Sequence, residues 1–210
     1  MTTVPQQLKD SKEQREVISV SAALKEQYDA IKALGGPKAW PFVQGNPLVA
    51  FNTGLVGLVS NSFFRRMLMV RKGLVLSSLP MAVIPGITMT LIYPILISNP
   101  ILVGDLKCPL CASLRAGALG LTLGSIYPFL LAIPLNSALA INYATIEVPM
   151  FSKKSSFNEA LQFWQRKVRY FKGQFISIAI FQMFLFAFVA DRQFRLAHTE
   201  LDVQFVKEER

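Results

Sequence analysis

Four long stretches of the chain carry no charged side chain, and short polar segments separate them. Their charged boundaries are Lys38 and Arg65, Lys72 and Asp105, Arg115 and Glu147, and Lys172 and Asp191. A helix that crosses a bilayer needs about 20 mostly apolar residues. A helix that is apolar on all sides must be buried in protein or in lipid. The pattern therefore predicts an all-α, polytopic membrane protein with four transmembrane helices.

Local signals predict where the four spans begin and end. Asn46-Pro47 is typical of an N-cap followed by proline at the first helical position, and Ser98-Asn99-Pro100 is typical of a helix stop. The predicted spans are Pro47 to Phe64, Gly73 to Ile97, about Leu114 to Asn142, and Lys172 to Asp191. Ahead of span four, Ser156 to Glu159 resembles a capping box. It predicts a further helix from Phe157 that bends near Lys172-Gly173 and continues as span four.

The N-terminal region has a different, amphipathic pattern. Between Ser11 and Leu34, apolar residues recur at intervals of three, four and seven among charged positions, and Gly35-Gly36-Pro37 ends the pattern. This predicts an amphipathic helix that lies on the membrane, covers the bundle or binds a partner helix. The predicted division is an N-terminal region at 1–45, a transmembrane domain at 46–193 and a polar tail at 194–210.

The distribution of charge predicts an orientation. The 210 residues are 52% hydrophobic and 17% charged, with a net charge of +9. Loop one, residues 65–72, and loop three, residues 142–172, are strongly basic, whereas loop two is nearly balanced. The positive-inside rule places both basic loops on the non-translocated side. The residues expected to set topology and to anchor the spans to anionic lipid are Arg65, Arg66, Arg71, Lys72, Lys167, Arg169 and Lys172. Their position at membrane ends argues against nucleic-acid binding.

Small residues at four-residue spacing predict close helix contacts. They are Thr53 and Gly57 on span one and Ala116, Gly120 and Gly124 on span three. Such residues let helix backbones approach closely in lipid. The contact could be with a partner's helix or within the bundle, and we favour the second because every bundle needs such faces.

Polar chemistry inside the spans is sparse. The four stretches contain no Asp, Glu, Lys, Arg or His, which argues against ion or proton transport. Their polar residues are expected to form hydrogen bonds between helices, namely Asn52, Ser60, Asn61, Asn136 and Gln182. No glycine-rich phosphate loop, nucleophile elbow or HExxH pattern occurs. We therefore expect no catalytic residue, no cofactor, no metal and no small-molecule substrate.

Cys108 and Cys111 form a C-x-x-C pair in loop two. A structural zinc site normally takes four ligands, which this pair and the distant His198 do not supply. A thioredoxin-like motif would lie near a βαβ pattern, and none is present. An oxidising compartment would favour a disulfide between the two cysteines. Free thiols, a disulfide that fixes the hairpin, and, least favoured, catalysis remain as interpretations.

Several segments resemble the transmembrane protein 126 family. They are SNSFFRRMLMV, SSLPMAVIPGIT, GDLKCPLC, GSIYPFLLAIPLN and Phe181 to Phe184, and they extend over about Gly54 to Ala190. The most specific pieces are Asn61 to Arg66 and Tyr127 to Asn136. The GD-x-x-C-x-x-C loop resembles the A paralogue of vertebrates more than the B paralogue.

This resemblance implies a function and a location. It implies a non-enzymatic, multi-pass protein of the mitochondrial inner membrane that assists assembly of respiratory complex I. The implied partners are membrane-arm subunits and other assembly factors, and our own hypothesis is that they are held through transient lateral helix packing. The basic loops 65–72 and 142–172 would then face the matrix, and the cysteine loop would face the intermembrane space. The alternatives are a small channel or carrier and, less favoured, a thiol oxidoreductase of that space.

Overall fold

Four apolar helical spans dominate the computed structural model, which describes residues 21–143, 169 and 171–199. These residues form helices and turns without a β-strand. The spans that are long and apolar enough to cross a membrane are Trp40–Met67, Leu74–Leu102, Pro109–Asn142 and Lys172–Thr199. The predicted all-α, polytopic fold is confirmed. The proposed helix from Phe157, with its capping box, and Lys167 lie outside the described residues.

The spans are built from shorter helical segments. The helices are α1 (residues 21–34), α2 (Trp40–Val43), α3 (Gly45–Met67), α4 (Leu74–Tyr93), α5 (Asn99–Leu102), α6 (Pro109–Leu121), α7 (Tyr127–Asn142) and α8 (Lys172–Thr199). A π-helical turn, Pro94–Ser98, joins α4 to α5, and another, Thr122–Ile126, joins α6 to α7. Each turn lies just before a proline, Pro100 or Pro128, whose missing N–H interrupts the ladder of backbone hydrogen bonds, and the helix continues past it.

Three predicted helix starts and stops are wrong by several residues. Span one begins at Trp40, and Asn46 does not cap it, because Pro47 lies within the first turn of α3, where a missing N–H breaks no helical bond. Span two continues to Leu102, because Pro100 falls in the first turn after the π-helical turn. Span three begins at Pro109, one residue after its N-cap Cys108.

Span four begins where it was predicted to begin but ends later. Arg169 and Phe171 are turn residues, so α8 begins at Lys172, at the predicted bend. It runs past Asp191 to Thr199 because the charged residues of its last turns find local partners. Asp191 and Arg195, one turn apart, form an ion pair of 2.8 Å.

The arrangement of the bundle follows from its contacts. Span one packs antiparallel against span two. It also contacts α7 of span three. The α8 helix packs antiparallel against α6. The N-terminus of span one, the C-terminus of span two and the cysteines therefore lie at one end, called here the cysteine end. Phe63 stacks on Phe171 at 5.2 Å, which brings loop one and the start of α8 together at the opposite end, the arginine end.

The described part of the N-terminal region covers the bundle at the cysteine end. Ile31 of α1 is buried in the same apolar cluster as Phe42 and Phe194, with Leu24 packed against it. The Tyr28 hydroxyl donates a hydrogen bond to Asn99 Oδ1 (3.3 Å), and burial raises its pKa. Of the three roles left open for this helix, residues 21–34 take the second. The domain division at residue 45 stays a prediction.

Glycine sets the distance between span one and span two. A Cβ added to Gly57 would lie 1.9 Å from the Met81 carbonyl oxygen, whereas one added to Gly86 would lie 3.5 Å from the Ala50 carbonyl oxygen. The first distance is impossible without separation of the helices, and the second is an ordinary contact.

We therefore expect Gly57→Ala to destabilise the protein by at least about 1–3 kcal/mol, the usual range for overpacking. Gly86→Ala is the matched control, and it should be neutral or stabilising by up to about 1 kcal/mol, because alanine is the better helix former. Unfolding in detergent micelles measures both. Equal stability of the two variants would contradict the close approach at Gly57.

Candidate helix-docking cleft

Gln193 organises a buried polar layer at the cysteine end. Its Nε2 donates to the Pro41 carbonyl (2.9 Å) and to Asn46 Oδ1 (3.0 Å), and its Oε1 accepts from the Tyr93 hydroxyl (3.4 Å). The Ser98 hydroxyl lies within hydrogen-bond distance of both Gln193 Oε1 (3.3 Å) and Asn46 Oδ1 (3.0 Å). This one amide connects spans one, two and four, so it fixes their relative register.

A second polar layer lies in the middle of the bundle. Gln182 is fully buried, and its Nε2 donates to the Gly124 carbonyl (3.1 Å), which the π-helical turn of span three leaves available. Asn52 donates to the Gln182 side-chain oxygen. The layer joins spans one, three and four, and it confirms the interhelical role predicted for Asn52 and Gln182.

A third polar layer lies toward the arginine end. Asn136 donates to Asn61 Oδ1 (2.9 Å), and Asn61 donates to the hydroxyls of Ser77 (3.1 Å) and Ser78 (3.0 Å). This layer joins spans one, two and three and confirms the interhelical role predicted for Asn61 and Asn136. Ser60 is buried as well.

Arg65 lies beside this third layer. Its side chain is only 7% exposed. Nη1 donates to Ser77 Oγ (2.9 Å) and the Gly73 carbonyl (3.2 Å), and Nη2 donates to the Lys72 carbonyl (3.0 Å). The guanidinium group therefore closes the hairpin between spans one and two. The anchoring and topology role expected of Arg65 stays a prediction beside this contact within the hairpin.

Charge differs between the two ends of the described bundle. The arginine end carries six basic residues and no acidic one within the described residues, and five of the six are exposed: Arg66, Arg71, Lys72, Arg169 and Lys172. The cysteine end carries seven basic and four acidic residues in the same part of the chain. The asymmetry has the sign that the positive-inside rule uses.

The small residues singled out in the sequence form contacts within the chain. Thr53 and Ala116 are fully buried. A Cβ on Gly120 would lie 2.7 Å from the Gln182 carbonyl oxygen, and one on Gly124 would lie 3.4 Å from the Phe186 ring. Span two therefore covers Gly57, and α8 covers the small-residue face of span three, so neither face is open to a partner.

A lateral cleft of about 700 Å³ lies between spans one and two, on the outside of the bundle. Its floor is made of small residues four apart on each helix, Ala50 and Gly54 on span one and Ala82 and Gly86 on span two. Large exposed side chains stand beside it, among them Phe51 (68% exposed) and Ile87 (56% exposed). The cleft is apolar apart from Asn46 and Thr90. A groove of this shape, on a surface that faces lipid, fits an apolar helix or chain.

The cysteines lie at the start of α6, and neither of them lines the cleft. Both are free thiols in the structure, and Cys108 is the N-cap of α6. Its sulfur accepts a hydrogen bond from the Cys111 N–H (3.3 Å). The disulfide stays a prediction. Within the described residues, no group of three or more His, Cys, Asp or Glu side chains could hold a metal ion.

Sequence reasoning missed two parts of this arrangement. The cleft has a sequence signal, because Ala50 and Gly54, like Ala82 and Gly86, repeat at the same spacing as the residues that were singled out. Gln193 has one too, since it continues the buried series of Gln182, Phe186 and Val189 at helical spacing. It was missed because the charge at Asp191 marked the predicted end of the span.

The comparisons with known proteins agree on one family. The model of the family described as "Transmembrane protein 126" matches residues 24–206. Proteins named "Transmembrane protein 126A" from Rattus norvegicus and Homo sapiens are 36% and 35% identical over 152 residues, which cover 72% of this chain and 74% and 75% of those proteins. The one from Mus musculus is 45% identical over 105 residues, 50% of this chain and 54% of its own length. No solved structure matches.

We expect Arg65→Met to lower stability by about 1–3 kcal/mol, because it leaves the carbonyl oxygens of Lys72 and Gly73 without their donor. Arg66→Met is the matched control, since it removes the same charge from an exposed neighbour and should change stability by less than about 0.5 kcal/mol. Thermal unfolding in detergent distinguishes the two. If both variants lost the same stability, the hairpin role of Arg65 would be wrong.

Proposed function

The chain belongs to the transmembrane protein 126 family, and from this premise we propose that it is a non-enzymatic assembly factor of the mitochondrial inner membrane. In this proposal it holds membrane-arm subunits of respiratory complex I while they await their own neighbours. The resemblance noted in the sequence implies the location and the partner class. The lateral cleft between spans one and two is the observation that carries the mechanism.

The cleft supports lateral holding through its shape and its surroundings. In lipid, helices associate through close packing rather than through a hydrophobic driving force, and small residues make that packing dense. Gly54 and Gly86 lie on the floor of the cleft, where span one and span two meet, and Phe51 and Ile87 offer contact area beside it. Because the other small-residue faces are covered within the chain, the cleft is the described face with this character that stays open.

The buried polar layers favour this role over that of a channel or carrier. The Gln193, Gln182 and Asn61 amides bond to groups on other helices, so they connect the spans to one another. A solute path would need polar groups that face a shared cavity. The lateral cleft does not offer such a path, because its lining is apolar apart from Asn46 and Thr90.

The proposal also concerns orientation. The basic, arginine end would face the matrix, and the cysteine end would face the intermembrane space, as the positive-inside rule suggests. The exposed Arg66, Arg71 and Lys72 would then lie at the anionic matrix leaflet, where each basic residue near the surface contributes about 1 kcal/mol of attraction.

Filling the cleft should weaken partner capture. We expect Thr90→Trp to reduce co-purification of complex I membrane-arm subunits several-fold, because the exposed Thr90 side chain lines the cleft and an indole would occupy it. Leu91→Trp is the matched control, since Leu91 is the next residue, is 61% exposed and does not line the cleft. Equal accumulation of both variants in mitochondria shows that each is folded. Undiminished capture by Thr90→Trp would rule out the cleft as the holding surface.

Orientation can be tested with a membrane-impermeant maleimide. After mild reduction, we expect Cys108 and Cys111 to be labelled in mitochondria whose outer membrane has been opened. A Lys72→Cys probe in a chain with both native cysteines changed to serine should be labelled only after the inner membrane is permeabilised. The reverse pattern would place the basic loops in the intermembrane space.

A further inference from the structure

The first turn of α6 holds two thiols that lie outside the packed bundle. Cys108 has extended backbone angles (φ −125°, ψ 124°) and caps the helix with its side chain. Its sulfur lies 3.3 Å from the Cys111 nitrogen, whose N–H it accepts, and Cys111 itself is exposed. The pair is therefore reachable from the aqueous side of the cysteine end, and the two cysteines share the first turn of α6.

The turn ahead of the pair holds Cys108 in its capping position. Gly104 adopts a positive φ of 78°, and the amides of Asp105 and Leu106 both donate to the Pro100 carbonyl (2.9 and 3.3 Å). The chain thus reverses tightly after span two, and α6 starts at a fixed place. Pro109 follows at the first helical position, where its missing N–H leaves no helical bond unmade.

The surroundings of Cys108 stabilise its thiolate. The backbone N–H of Cys111 donates to the Cys108 sulfur (3.3 Å). The proximity of Cys111, through its side chain first and its backbone second, lowers the pKa of Cys108. The N-terminus of a helix also favours a negative charge. Reactive cysteines in proteins have this combination of exposure and thiolate stabilisation.

We propose that Cys108 and Cys111 form a thiol–disulfide exchange site, in which Cys108 attacks a disulfide of a protein or small-molecule partner and Cys111 resolves the product. The Cys108 thiolate forms a bond to one sulfur of the partner disulfide, and the other partner sulfur leaves as a thiolate. Cys111 then loses its proton and attacks the Cys108 sulfur. The second partner sulfur leaves and takes up that proton. The dithiol is oxidised by two electrons, and the partner disulfide is reduced to one thiol and one thiolate.

The geometry assigns different roles to the two cysteines. Cys108 receives the hydrogen bonds and is the nucleophile, whereas Cys111 donates to it and is the resolving thiol. Closure into a disulfide would join the N-cap to the third residue of α6, so it would fix the first turn of span three. The proposal does not depend on the docking cleft or on the assembly role.

Alkylation of the full-length protein in detergent tests the assignment of the nucleophile. In Cys111→Ser, which keeps a hydroxyl donor, we expect iodoacetamide to modify Cys108 with a pH midpoint below that of glutathione. Cys111→Ala removes the donor and should raise this midpoint. The thiol left in Cys108→Ser should react more slowly than Cys108 does in Cys111→Ser at pH 7. A Cys108 midpoint equal to that of glutathione in all variants would overturn the assignment.

Equilibration of the same protein with mixtures of reduced and oxidised glutathione tests the exchange. The unchanged chain should lose two hydrogens by mass and accumulate no lasting glutathione adduct, because Cys111 displaces it. Cys111→Ser should instead retain the adduct on Cys108. If the unchanged chain formed lasting glutathione adducts without an internal disulfide, the exchange site would be refuted.

Discussion

Span one approaches span two so closely at Gly57 that no side chain fits between them, and the rest of the bundle is built on this contact. Lipid tails are as apolar as the surfaces of the helices, so moving a helix surface from lipid to another helix gains little free energy. Close packing therefore holds the two helices together. The approach at Gly57, where a Cβ would meet the Met81 carbonyl oxygen, sets the spacing of the pair. That spacing brings Asn61 within reach of Ser77 and Arg65 within reach of the turn into span two. It also leaves the cleft above Gly54 and Gly86.

The number and type of helices could be predicted from the sequence because lipid imposes a strong and local constraint. A long uncharged stretch that crosses lipid must satisfy its backbone hydrogen bonds internally, which a helix does. The four spans overlap the four uncharged stretches. Helix ends were less predictable, because they depend on neighbours. Asn46 has the sequence of a cap, yet its side chain serves Gln193 and Ser98 across the bundle. Arg65 has the sequence of a lipid anchor, yet its guanidinium group also bonds to two carbonyls of the turn into span two and to Ser77 of the next helix. No local pattern contains those partners.

The candidate site was less predictable than the fold for a related reason. Small residues at four-residue spacing show that a helix face is closely packed, but they do not show which helix covers it. Gly120 and Gly124 have the stronger sequence signal and are covered by α8. Ala50, Gly54, Ala82 and Gly86 have the same spacing, and the two helices that carry them touch at Gly54, but the larger side chains beside this seam leave a groove open on the outer side. Only the packing of all four spans separates a face used for folding from a face left for a partner.

The three polar layers explain how a bundle with an open side can stay rigid. Each layer joins three spans, and each is centred on an amide, at Gln193, Gln182 or Asn61. An amide offers both donors and acceptors, so it specifies register at several helices without placing a charge in lipid. Interhelical hydrogen bonds of this kind contribute about 0.6 kcal/mol each on average, which is modest singly and substantial across three layers. Asn46 is the one residue of the described layers that also lines the cleft, so a helix in the proposed docking site would leave the other bonds untouched. The polar layers therefore stabilise the bundle, while the mostly apolar residues of the cleft would make the proposed contact with a partner.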